Sequence, residues 1–127
     1  MKNLFLKVLV LSALLGFSSV SAIEFTDQNV VAWELPKKIY NWNKTKRVIL
    51  PDYIPETIIA NYVKESTDKI SGLHSTLFKT QFKKIVFMIF IGQKNNKLVD
   101  VSVGIIDLDK GAQIAQYDLP ISAIQIY

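Results

Sequence analysis

Cysteine is absent from all 127 residues, and histidine occurs once, at His74. The first absence removes disulfides, thiol nucleophiles and thiolate metal sites. The second leaves a zinc site to scattered carboxylates, and any Ser-His-Asp triad would have to use His74. No Gly-x-Ser-x-Gly elbow is present, and the five glycines form no phosphate-cradling loop. His74 reads as a plain surface or helix-end histidine. The carboxylates Asp107 and Asp109 resemble a fragment of a calcium loop but lack its further ligands and closing Glu, so they read as turn residues. No pair among Asp100, Asp107 and Glu56 is brought to a glycosidase separation by anything in the sequence. No catalytic, cofactor or metal residues are assigned, and an enzyme is not expected.

Long hydrophobic runs are also scarce. The longest, Leu4 to Phe17, follows Lys2 and is broken by Lys7 and Ser12. It is shorter than the ~20 residues a spanning helix needs. Val20-Ser21-Ala22 has the small residues of a signal-peptidase site, so residues 1–22 are expected to be a cleaved signal peptide and 23–127 one small domain. Export without cysteine suits a bacterial periplasm or cell surface.

The net charge of +4 is unevenly placed. Pro36 to Lys97 holds 12 basic and 4 acidic residues, while the segments on either side, Ile23–Leu35 and Leu98–Tyr127, are each net −3. No nucleic-acid-binding motif accompanies the basic stretch. Within it, Tyr40, Trp42, Lys44, Lys46 and Arg47 interleave aromatic and cationic groups, a composition enriched at recognition surfaces. These five are the candidate binding surface. Asn43-Lys44-Thr45 also matches a glycosylation sequon, a match frequent by chance.

The chain order predicts an α+β domain. Asn29–Leu35 reads as a short strand, ended by Pro36. Lys38–Trp42 and Arg47–Leu50 are short extended segments. Pro55 suits a first helical position, and Ile59, Tyr62, Val63, Ser66, Ile70, Leu73 and Leu77 step by three or four. That spacing predicts one main amphipathic helix from Pro55 to Ile70, ending at Gly72 or running on to about Thr80. Lys83–Gln93 and Lys97–Asp107 flank Asn95-Asn96 as a hairpin. Gln113–Leu119 and Ile121–Tyr127 complete a three- to four-stranded antiparallel meander for the helix to cover. The order of one helix then four strands is similar to that of cystatin-like domains, an analogy of element order alone.

These features predict an exported periplasmic, non-enzymatic interaction protein with a protein partner in the cell envelope, such as an accessory subunit of a pilus or secretion apparatus. An inhibitor or immunity protein against a hydrolase and a small-ligand carrier are the alternatives. No cofactor, nucleic acid or stable membrane span is expected. An edge strand offers a route to homo-oligomers.

Overall fold

The computed structural model describes residues 24–41 and 46–127. The expected signal peptide lies outside these residues, as do Trp42 and Lys44. Strands hold 60% of the described residues, and there is no α-helix among them. The strands are β1 (Val30–Glu34), β2 (Ile39–Tyr40), β3 (Arg47–Val48), β4 (Thr57–Thr67), β5 (His74–Phe82), β6 (Ile85–Lys94), β7 (Lys97–Asp107), β8 (Ala112–Asp118) and β9 (Ile124–Ile126). A single 3₁₀ turn, Ile121–Ala123, precedes β9. Seven strands form one antiparallel sheet in the order β9-β1-β4-β5-β6-β7-β8, and β2 and β3 pair as a separate small hairpin.

The expected helix-on-meander architecture is therefore wrong: the sheet curls into a half-barrel and covers itself. The connection between β8 and β9 shows why it must curl. These strands sit at opposite edges of the sheet, yet only Leu119–Ala123 lies between them. A flat sheet would separate its outer strands by six spacings of about 4.8 Å, or about 29 Å. Six extended residue steps reach at most about 20 Å. Trp33 of β1 accordingly meets Phe87 of β6 edge-on across the interior, with ring centroids 6.4 Å apart, although two strands stand between them in the sheet.

The segment expected to be helical is β4 and the start of β5, and a bulge explains the misleading spacing. Ile58, Ala60 and Tyr62 point inward, and Ile58 and Ala60 are fully buried. The register then shifts between Tyr62 and Lys64. An extra residue of this kind moves the following side chains onto the opposite face. The apparent helical stripe joins inward Tyr62 to outward Ile59 and Val63, which are half exposed. Thr57, Ile58, Ile59, Val63 and Thr67 are β-branched, the composition of a strand. Proline 51 opens a turn closed by the Ile54 amide on the Pro51 carbonyl at 3.1 Å, and Pro55 starts no helix. Gly72 ends no helix either; it takes a left-handed φ of 76° in the β4–β5 connection.

The hairpin of β6 and β7 forms as expected. Asn95 and Asn96 both have positive φ, 53° and 64°, the pair of conformations a two-residue type I′ turn requires. Ile85, Phe87, Ile89 and Ile91 face inward and pack with Val101, Val103 and Ile105 of β7. Val99, two residues before Val101, is nevertheless half exposed because the register slips between Gly92 and Gln93. The other side of β6 has no helical cover, and Phe90 is 41% exposed there. Before β1, Phe25 is buried edge-on against Phe78, with centroids 5.3 Å apart.

Candidate functional site

Three of the five candidate residues fall within the described chain, and the β2–β3 hairpin brings them together. Ile39 pairs with Val48 and Tyr40 with Arg47. Strand alternation divides this short ladder into two faces. Ile39 is 4% exposed and joins the core, with Val48 half buried against it. Tyr40 is 48% exposed, and Arg47 and Lys46 are exposed beside it. The Asn41 amide donates to the Lys46 carbonyl at 3.1 Å, closing the inner rung. The hairpin is therefore anchored by one face and presents an aromatic and cationic side chain, directly opposite each other, on the other.

Open clefts flank it. One, of about 710 Å³, separates the hairpin from β8 and is lined by Lys38, Tyr40, Gln116, Tyr117 and Asp118 among others. Another, of about 520 Å³, runs between β3 and the β7–β8 turn and includes Arg47, Ile49, Asp107 and Lys110. Above the first cleft, the Trp33 indole donates to the Tyr117 hydroxyl at 3.1 Å. Burial pushes the Tyr117 phenol up to about 12, although the indole hydrogen bond acts in the opposite direction. Tyr53, near in sequence, stands apart: it is partly exposed, with the Lys83 ammonium 4.5 Å from its ring centroid.

A second polar cluster lies at the other end of the half-barrel. His74 does not stand alone as the sequence suggests: its Nε2 lies 2.5 Å from Glu65 Oε2, and its Nδ1 lies 2.8 Å from Thr67 Oγ1. Partial burial and the Glu65 carboxylate push the Tyr62 phenol up. Thr67 pairs directly with His74 across the sheet. Only the bulged β4 register creates this arrangement, so nothing local in the sequence announces it. Both ring nitrogens have partners, and the cluster ties β4 to β5.

The β7–β8 turn is likewise self-contained. Asp107 Oδ1 accepts from the Asp109 amide at 2.9 Å, an Asx turn. Among the described residues no group of three His, Asp or Glu side chains converges to hold a metal ion. No helix among them is long and apolar enough to cross a membrane.

No family model matches the chain, and neither a curated protein nor a solved structure shows significant similarity to it.

Proposed function

We propose that this is an exported, non-enzymatic interaction protein whose partner is a protein of the cell envelope, engaged through the β2–β3 hairpin. The observation that carries the reading is the division of that hairpin. Ile39 anchors it in the core while Tyr40 and Arg47, paired across the rung, face solvent. An exposed tyrosine beside an arginine on a fixed backbone supplies two residue types that dominate binding energy at interfaces, at little ordering cost.

The filled interior supports the same choice. Trp33, Phe78, Phe87, Ile89, Ile91 and Ile105 occupy the space a carrier would keep for its ligand. The small-ligand carrier is the weaker alternative for that reason. Export rests on the N-terminal sequence, with its two lysines, apolar run and Val20-Ser21-Ala22. An accessory role in a pilus or secretion apparatus is the finer form of the proposal.

Affinity capture of the tagged protein from cross-linked cells of its host tests this. A discrete envelope protein, captured by the wild type and lost with Tyr40→Ala and Arg47→Glu together, is the expected result. Equal capture by wild type and double variant would reject the hairpin as the binding surface.

A further inference from the structure

The cleft beside the hairpin has a floor that the proposed function does not use. Strand β8 is the last strand of the sheet, and no strand pairs with its outer side among the described residues. Its hydrogen-bonding phase can be read from its end. The Leu119 amide donates to the Val101 carbonyl at 2.9 Å. Two residues back, Tyr117 is opposite Val103, and two further back Ala115 is opposite Ile105. In an antiparallel ladder, bonded pairs recur every second residue. The backbone groups of Ala115 and Tyr117 therefore point to β7, and those of Gln116 and Asp118 point outward. Gln116 and Asp118 line the 710 Å³ cleft.

The opposite wall of that cleft is the hairpin, and its charge is positive. Lys38 lines the cleft, and Lys46 and Arg47, which line the neighbouring cleft, are exposed on the same hairpin. Asp118 is the one carboxylate lining the cleft. Tyr40 and Ile39 add apolar surface beside Lys38.

We infer that β8 takes an added strand: an extended, acidic segment of a partner polypeptide lies in this cleft, antiparallel or parallel to β8. Its backbone pairs with Gln116 and Asp118, and its carboxylates face Lys38 and extend toward the exposed cations on the rest of the hairpin. Main-chain bonds of this kind give affinity, while alternate side chains give specificity. The inference rests on the proposed role of the hairpin and names the chemistry of its partner. A second copy of this chain fits less well. Pairing β8 with β8 would bring two sets of Lys38, Lys46 and Arg47 to the same seam, like charge against like.

Proline distinguishes the outward positions. An edge strand tolerates proline where the lost N–H faced away from the sheet. Gln116→Pro should therefore keep the fold and remove one docking donor. The probe is a short synthetic peptide alternating valine and glutamate, with a valine–lysine peptide of equal length as its control. Titration by fluorescence anisotropy is expected to show binding of the glutamate peptide only. Gln116→Pro should weaken it about tenfold, in keeping with one lost main-chain bond. Lys38→Glu with Arg47→Glu should weaken it by at least as much, which keeps the test open if the proline variant fails to fold. Amide exchange should slow at Gln116 and Asp118 on peptide addition and remain unchanged in β9.

Equal binding of both peptides, or protection away from β8, would overturn the inference. So would a wild-type dimer in sedimentation that Gln116→Pro dissociates, because the edge would then serve a second copy. A partner captured through Tyr40 and Arg47 while the glutamate peptide fails to bind would reject strand addition and leave the proposed function standing.

Discussion

The Trp33 indole nitrogen and the Tyr117 hydroxyl, 3.1 Å apart, join strands that lie near opposite edges of the sheet. Trp33 is 2% exposed, so its N–H has no recourse to water. This bond and the short β8–β9 connection hold the half-barrel curled, and with it the distance between β8 and the hairpin.

Tyr117→Phe removes the acceptor and leaves the Trp33 N–H buried and unpaired. Such a loss costs about 1–3 kcal/mol. Urea unfolding should show a lower midpoint with an unchanged slope. An unaltered midpoint would mean that the bond contributes nothing to closure.

The same tyrosine sets an alkaline limit. Its pKa is raised in the folded state from 10.0 to about 12. Folding therefore favours the protonated phenol. The associated stability is complete below about pH 10 and is lost as pH rises through about 12. Stability measured across this range should fall, and it should fall less steeply in Tyr117→Phe. Parallel curves for the two proteins would contradict the assignment.

Thr76 is fully buried, and its hydroxyl has no hydrogen-bond partner. It lies between Glu65 of β4 and Ile91 of β6 in register. Thr76→Val keeps the branched shape and removes the unpaired group, so it should stabilise the fold by about 1 kcal/mol. Thermal melting checks this, and a lower Tm would show that the hydroxyl is satisfied after all.

The Asn95-Asn96 turn predicts a contrast. A β-branched residue at either position is forced into a left-handed conformation, at a cost of about 1–2 kcal/mol. Asn96→Gly should be neutral or stabilising, and Asn96→Val should lower the denaturation midpoint. Equal effects of the two changes would exclude the type I′ geometry.

That turn also shows which parts of the fold the sequence made legible. The turn and its two flanking runs contain their own information: period two, β-branching and a turn pair that tolerates positive φ. The first strand was legible for the same reason, whereas the last strand, expected to continue the meander after Gln113–Leu119, pairs instead with β1 at the far edge. Strand β4 was not, because its bulge breaks the alternation after Tyr62 and leaves an accidental spacing of three and four. Fully buried Ile58 carried the contrary signal, since it lies off the supposed helical stripe. The curl depends on the reach of Leu119–Ala123 between edges, which requires the strand order to be known first.

The candidate surface was partly legible. Tyr40, Lys46 and Arg47 stood out by composition, and the hairpin does bring them together. The share of the cleft contributed by Gln116 and Asp118 was hidden, because those residues lie far along the chain and are distinguished only by strand phase. The Glu65–His74 link was hidden for a similar reason.

Site-specific photo-cross-linking in the host tests the central claim most directly. A photoreactive amino acid placed at Tyr40, on the hairpin, is compared with one at Asn96, on the distant β6–β7 turn. The account predicts a discrete adduct with an envelope protein from position 40 and none from position 96. Adducts from position 96 alone would place the interaction surface at the opposite end of the half-barrel and contradict it.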